Sequence, residues 1–93
     1  RAAYAVRLRV SPEMLPHLAS ALGRPVDAAR LEPADADGWR ALTMTFESLF
    51  AARARILPLG RAVEVLAPLA LRLSVADAAR QVLSVYEPPP RPA

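Results

Sequence analysis

The sequence contains no cysteine, lysine or asparagine, and only three glycines and one histidine. Without cysteine the chain can form no disulfide, thiol nucleophile or cysteine metal site. His17 has no carboxylate or metal-ligand companion at useful spacing, and no glycine-rich phosphate loop is present. Asp35 and Asp37 lie in a turn, where backbone capping explains them better than calcium binding. We therefore predict no catalytic residues, no metal and no cofactor, and a chain that is not an enzyme.

Long hydrophobic runs are also missing. No apolar stretch reaches the ~18–20 residues that span a bilayer, and no signal peptide is visible. These absences predict a cytoplasmic protein without a membrane partner. Because the chain starts at Arg1 and opens almost directly into a strand pattern, we expect an excised domain.

The charge is modest and comes entirely from one basic residue type. Twelve arginines against nine acidic residues give a net charge of +3. A GC-rich genome would account for this bias, since its codons favour arginine, alanine and proline. Guanidinium groups nevertheless suit phosphates and carboxylates, which leaves a weak preference for anionic partners.

The apolar content is sufficient for one folded domain. With 93 residues, 54% of them hydrophobic, the chain can bury roughly 60–65% of its unfolded surface. We predict a single domain over residues 1–86. The remaining residues, 87–93, are predicted to be a Pro-rich disordered tail.

Four segments alternate in the two-residue period of strands: residues 4–10, 26–31, 39–46 and 63–66. The second is the poorest, because Pro25 and Pro33 cannot donate to a ladder, and it is expected at a sheet edge. Asp37-Gly38 is a strong hairpin signal before the third.

Three helices are predicted, from Ser11 to Gly23, from Ser48 to about Leu57, and from Pro68 to about Tyr86. A capping serine begins each of the first two, and a first-turn proline begins the third. The resulting order predicts a ferredoxin-like βαββαβ domain with one additional C-terminal helix. In that fold a four-stranded antiparallel sheet has its first and third strands at the centre and its helices on one face.

Several segments in this order resemble a known regulatory domain. They are Val6–Val10, Trp39–Phe46, the helix end Ile56–Gly60, the segment Val63–Arg72, and Tyr86. Their order and spacing resemble the WCX domain, the C-terminal extension that follows the WYL domain in many bacterial transcription regulators. Pro58 departs from the aliphatic or small residue usual at that helix end.

The resemblance implies a regulatory and dimerisation domain, preceded in the full protein by a winged helix-turn-helix and a WYL domain. A homodimer is then expected, with DNA bound through the full-length protein. Some family members respond to single-stranded nucleic acid near the WYL domain, and the extension helps frame that site. The ligand residues of the WYL domain are not in this chain and cannot be transferred to it.

The candidate nucleic-acid or effector contacts are Arg7, Arg9, Trp39 and Arg72. The first three are predicted on the sheet face opposite the helices, where arginines and an aromatic could contact phosphates and stack bases. The alternative is a face that is solvated or covered by a second subunit. Arg72 lies in the first turn of the last helix, where a cation is disfavoured. This conflict predicts a specific partner, either an acidic side chain or a phosphate.

The last helix has apolar residues on two sides. One stripe comprises Val75, Ala76, Ala79, Val82, Leu83 and Tyr86, and the other comprises Leu71, Ala78 and Val85. A helix that is apolar on two faces is buried on two faces, which predicts a second subunit or domain against it. The candidate interface residues are Leu71, Ala78 and Val85, together with Thr43 and Thr45 on the sheet face opposite the helices.

Two other functions fit the same predicted framework. One is an ACT-like small-molecule-sensing dimer domain, with a metabolite at the subunit boundary. The other is a direct single-stranded nucleic-acid binder that uses Arg7, Arg9 and Trp39.

Overall fold

A computed structural model describes residues 3–87, so that all but the first residue of the predicted tail lies outside the described residues. Within this range the strands are β1 (Tyr4–Val10), β2 (Arg40–Phe46) and β3 (Val63–Ala67). The α-helices are α1 (Leu18–Leu22), α2 (Leu49–Ile56) and α3 (Leu69–Tyr86). Short 3-10 turns cover Leu15–His17, Ala28–Arg30 and Leu57–Ala62.

β1 is the central strand of an antiparallel sheet with the order β2-β1-β3. Its predicted alternation is confirmed, because Val6, Leu8 and Val10 are buried whereas Ala5 and Arg7 are exposed. The buried side chains face the helices. We call the opposite side of the sheet the open face.

The core fills the space between the sheet and the helices. Fully or almost fully buried helical residues are Leu18, Leu22, Ala52, Ile56 and Leu71, and they form one cluster with the inward side chains of the strands. Burying an aliphatic side chain of this size contributes ~1.5–3 kcal/mol. The molecule is thus a mixed α/β domain with a C-terminal helix, as predicted.

The predicted strand over residues 26–31 is wrong, and the described residues form three strands instead of the four of a ferredoxin-like sheet. The carboxylate of Asp27 accepts a hydrogen bond from the N–H of Ala29 at 3.0 Å. The N–H groups of Arg30 and Leu31 donate to the carbonyls of Asp27 and Ala28, at 3.0 and 3.2 Å. Donors used inside this turn cannot pair with a neighbouring strand. Consequently only β1 is central, and β2 lies at an edge.

The first helix is regular only from Leu18 onwards. The Ser11 hydroxyl accepts a hydrogen bond from the N–H of Met14 at 3.2 Å, as expected of a capping serine. Pro16 then lies in a 3-10 turn and delays the α-helix. Gly23, at φ +68°, ends the helix in the left-handed conformation that glycine adopts without strain.

α3 is 18 residues long, but only its first half packs on the domain. One side of it carries Leu71, Val75, Ala78, Val82 and Val85, which we call the α3 stripe. Leu71 is fully buried and Val75 is half-buried, whereas every residue from Ala79 to Tyr86 is exposed. The helix therefore carries apolar surface beyond the part that its own domain covers.

Candidate functional site

The open face brings together three of the four predicted contact residues. Arg9 lies on β1, Trp39 immediately precedes β2, and Arg72 lies in the first turn of α3. Arg9 and Arg72 both bind Glu64 of β3, which is opposite Arg9 in the strand register, and the Trp39 ring lies against Arg9. Arg7 lies two residues from Arg9 on the same face.

Asp35 positions Trp39 from the preceding turn. One carboxylate oxygen accepts hydrogen bonds from the N–H groups of Asp37 and Trp39, at 2.9 and 3.0 Å. This confirms the predicted capping role. The other carboxylate oxygen of Asp35 accepts a hydrogen bond from Arg9 Nη1 at 3.2 Å.

Arg9 makes three polar or aromatic contacts at once. Its Nε donates to Glu64 Oε1 at 2.6 Å, and its Nη1 reaches Asp35. Its guanidinium carbon lies 4.3 Å from the centre of the Trp39 ring, which is a cation–π distance. The pKa of Arg9 is raised above its ordinary value, mainly because of this hydrogen bond to Glu64.

Of the two partners predicted for Arg72, an acidic side chain or a phosphate, the structure shows the acidic side chain. Its Nη1 donates to Glu64 Oε2 and, at 2.9 Å, to the backbone carbonyl of Val65. Glu64 thus bridges two guanidiniums. Hydrogen bonds from Arg72 and then from Arg9 lower the pKa of the Glu64 carboxyl below its ordinary value.

Arg7 forms a separate ion pair with Glu32. Its Nη2 and Nε donate to the two carboxylate oxygens at 2.7 and 3.2 Å. The hydrogen bond raises the pKa of Arg7 and lowers that of Glu32. Every predicted contact arginine is therefore paired with a carboxylate. A phosphate that binds Arg7, Arg9 or Arg72 therefore has to compete with a carboxylate that is already in place.

A shallow depression of about 360 Å³ adjoins this cluster. Arg9, Trp39, Glu64 and Arg72 lie along it, and valine and alanine side chains of β3 and α3 line the rest. Arg61 also lines it and forms no ion pair within residues 3–87. The depression combines an aromatic ring, an apolar wall and one unpaired cation.

Glu64, Asp35 and Arg61 also belong to this site, although none of them was among the predicted contact residues. Glu64 could have been found, because it alternates with Val63 and Val65 on a predicted strand. Asp35 lies in a loop and Arg61 in the 3-10 turn Leu57–Ala62, where no periodicity indicates the direction of a side chain.

The candidate interface residues are placed differently from one another. Thr43 and Thr45 are exposed on β2, Ala78 is half-buried, and Val85 is 72% exposed. Leu71 is 0% exposed and belongs to the core. It therefore cannot contact a second subunit, and the helical period explains why: Leu71 lies on the side of α3 that faces its own domain.

Over the described range, 3–87, no three histidine, cysteine or carboxylate side chains are placed to hold a metal ion. His17 is exposed. No helix within the same range is long and apolar enough to cross a membrane.

Comparison with known proteins identifies one family. The family model of the WCX domain matches residues 2–83. No curated protein and no solved structure gives a significant match. Because the family match covers most of the chain and includes the sheet, the open-face cluster and most of α3, this chain belongs to the WCX domain family, the regulatory C-terminal domain of WYL-type transcription regulators.

Proposed function

We propose that this chain pairs two copies of a WYL-type DNA-binding transcription regulator and helps frame the site of an anionic effector. The observation that carries the pairing is the exposed end of the α3 stripe. Val82 and Val85 are 52% and 72% exposed, although they continue the side of the helix that is buried at Leu71.

The spacing of the α3 stripe supports a helical partner. Its members are four and three residues apart, which is the spacing of the seam in packed helices. Apolar surface removed from water contributes about 25 cal/mol per Å². A second copy offers an identical stripe, and two identical surfaces can cover each other about a two-fold axis.

Pairing at this position would act on DNA binding by geometry. In a dimeric regulator the distance between the two DNA-binding units must match the spacing of the half-sites. A contact between C-terminal domains constrains that distance from the opposite end of the chain. An effector that binds one arrangement better than another shifts the equilibrium between them.

The depression beside Trp39 is the proposed effector contact, with Arg7, Arg9, Trp39 and Arg72 as the contacting residues. Because Glu64 already binds Arg9 and Arg72, an incoming phosphate has to compete with the carboxylate of Glu64. A single-stranded nucleic acid could offer phosphates to the arginines and a base to the Trp39 ring. The ACT-like alternative requires a complete βαββαβ framework, which residues 3–87 do not form, and we set it aside.

The pairing is tested by light scattering on the chain and on two variants of adjacent positions. Val85→Lys places a charge on the α3 stripe, whereas Ser84→Lys places the same charge on another side of the helix. We expect the average mass to fall in Val85→Lys and to stay unchanged in Ser84→Lys. Equal masses for all three proteins would overturn the pairing through α3.

The effector role has its own measurement, because Trp39 is the only tryptophan. We expect its fluorescence to change on titration with a single-stranded oligonucleotide at low salt. Arg72→Gln should weaken that binding and reduce its salt dependence, while Arg55→Gln, on exposed α2 surface, should not. No fluorescence change in the unmodified chain would refute the effector contact and leave the pairing result standing.

A further inference from the structure

Another cavity lies on the helix side of the sheet, where β2 ends. Its volume is about 210 Å³, and it is bordered by the end of α1, the last residue of β2 and one side of α2. We call it the β2-end cavity. Trp39 precedes β2 and Phe46 ends it, so seven residues of extended chain, about 23 Å, separate this cavity from the depression. The two places are therefore distinct.

Two arginines line the β2-end cavity without an acidic partner. Arg24 follows the end of α1, and Arg55 lies in the last turn of α2. Neither forms an ion pair with a carboxylate within residues 3–87. The predicted contact arginines of the open face differ, since each of them is bonded to a carboxylate. Positive charge is thus left uncompensated at the β2-end cavity.

An aromatic ring orients the Arg24 guanidinium. The central carbon of the guanidinium lies 4.8 Å from the centre of the Phe46 ring, which is a cation–π distance. Phe46 is only 7% exposed, so the core holds its ring in place. The ring covers a face of the guanidinium, whereas the N–H donors lie at its edge. Arg24 therefore loses less side-chain freedom when it binds a ligand through that edge.

Arg55 reaches the same cavity from α2. Its Nη1 lies 3.6 Å from the position that a Cβ of Gly23 would take, which places it at the C-terminal end of α1. A cation is favourable near a helix C-terminus, and this is the alternative reason for its position. However, α1 has only five residues, and the backbone N–H groups of Gly23 and Arg24 already bond to its carbonyls. The end of this short helix does not account for the guanidinium.

The size and charge of the β2-end cavity suit a single phosphate group. The cavity is smaller than the roughly 300–1,000 Å³ of pockets for cofactors and drug-sized ligands, so it holds one small group. Guanidiniums bind phosphates through two parallel charge-assisted hydrogen bonds. Glu47 also lines the cavity and disfavours an anion, but it is exposed and forms no ion pair with Arg24 or Arg55. Two cations against one carboxylate leave a net positive charge.

We propose that Arg24 and Arg55 bind a phosphate group in the β2-end cavity, carried by a free phosphate ion or by a small phosphate monoester. Arg24 presents its oriented N–H edge, and Arg55 supplies the second positive charge. Glu47 opposes them and limits the affinity. This site does not depend on the proposed effector contact. The fluorescence of Trp39 reports the depression and not this cavity, because of the distance between them.

Titration of the chain with sodium phosphate, followed by amide NMR, tests the proposal, with sodium chloride at the same ionic strength as the reference. The three glycines are internal reporters. Gly23 lines the β2-end cavity, whereas Gly38 and Gly60 directly precede residues that line the depression. We expect a saturating shift of the Gly23 amide alone. No such shift would overturn the proposal, and a shift of Gly38 and Gly60 alone would place the phosphate in the depression instead.

Two further titrations distinguish the sources of the phosphate. One uses glycerol phosphate, and the other uses a single-stranded oligonucleotide without terminal phosphates. A Gly23 shift with glycerol phosphate supports a monoester as the ligand, whereas a shift with inorganic phosphate alone supports the free ion. A shift caused only by the oligonucleotide would overturn the proposal, because the cavity would then belong to a surface that contacts a nucleic-acid backbone.

Single charge removals test the two arginines. Arg24→Gln and Arg55→Gln should each weaken phosphate binding about tenfold or more, because each removes charge-assisted hydrogen bonds to the anion. Arg80→Gln is the control, since it removes the same charge from an exposed ion pair on α3. We expect the control to bind phosphate like the parent. Parental affinity in both Arg24→Gln and Arg55→Gln would refute the site.

Two other variants separate binding from folding. Arg24→Lys keeps the charge but loses the planar fork, so its affinity for phosphate should lie between those of the parent and Arg24→Gln. Glu47→Gln removes the opposing carboxylate and should bind phosphate more tightly than the parent. A gain of affinity cannot result from a loss of folding. Unchanged or weaker binding in Glu47→Gln would contradict a phosphate in the β2-end cavity.

Discussion

Arg72, in the first turn of α3, donates a hydrogen bond to one oxygen of Glu64, while Arg9 donates to the other oxygen at 2.6 Å. One carboxylate on β3 thus connects the central strand with the start of the C-terminal helix. The helix dipole disfavours a cation at the position of Arg72. Glu64 compensates for this, and it fixes the rim of the depression at the same time.

Glu64→Gln is expected to destabilise the domain by about 1 kcal/mol, since partly exposed ion pairs contribute ~0.2–1 kcal/mol each. The control is Asp77→Asn, whose carboxylate is 3.9 Å from Arg80 in an exposed pair. We expect almost no change for the control. Urea denaturation gives the free energy of unfolding of both variants. Equal losses would show that the bridge formed by Glu64 does not stabilise the fold.

The lowered pKa of Glu64 predicts how stability depends on pH. A carboxyl group whose pKa is lower in the folded state stabilises the fold above its ordinary pKa. This contribution is lost as the pH falls through the folded-state value. Below about pH 5 the free energy of unfolding should therefore fall more steeply for the parent than for Glu64→Gln. The same pH dependence of the free energy of unfolding in both proteins would contradict a lowered pKa of Glu64.

Two leucines on the same helix separate its packed side from its exposed side. Leu71 is 0% exposed and Leu73 is 57% exposed. Leu71→Ala should cost about 2–5 kcal/mol, because it leaves a cavity in the core. Leu73→Ala should change stability by less than about 0.5 kcal/mol. Similar losses measured by urea denaturation would mean that α3 is oriented differently.

Gly60 has a backbone conformation that other residues avoid. Its φ is +61° and its ψ is −136°, and a Cβ there would meet no atom within 4 Å. Any loss in Gly60→Ala must therefore come from the backbone, and we expect about 1–3 kcal/mol. Gly23→Ala is the comparison, with an expected loss of about 1 kcal/mol because Gly23 is in the milder left-handed region. Urea denaturation measures both losses, and an unchanged free energy of unfolding in Gly60→Ala would contradict the positive φ of Gly60.

Much of the fold could be predicted because strand alternation and helix stops are local signals. The alternation of Val6, Leu8 and Val10 is retained in the sheet. Residues 26–31 were predicted as the poorest strand, but Asp27 caps a turn that uses the N–H groups of Arg30 and Leu31. Competition between a local turn and a distant strand depends on tertiary geometry, which periodicity does not describe.

A contact within the site could be predicted only for a residue whose charge is unfavourable at its own position in the fold. Arg72 in a helical first turn predicted either an acidic side chain or a phosphate as its partner, and Glu64 is that acidic side chain. For Arg7 and Arg9 no such conflict existed, because the Arg9–Glu64 pair depends on the strand register and Glu32, the partner of Arg7, lies in a loop. Leu71 was assigned to an interface because a seven-residue repeat does not indicate which side of the helix meets its own core.

The proposed pairing requires the distal half of α3 to pack against the same half of α3 in a second copy. Because the chain has no cysteine, Ser84→Cys allows a single spin label on the distal half of α3, on a side away from the α3 stripe. Packed helices lie ~8–10 Å apart and residues 79–86 span about 12 Å, so two paired labels should be within roughly 30 Å of each other. We predict a dipolar signal at that distance, which Val85→Lys abolishes. A label that shows no dipolar partner in this range at any concentration would contradict pairing through α3.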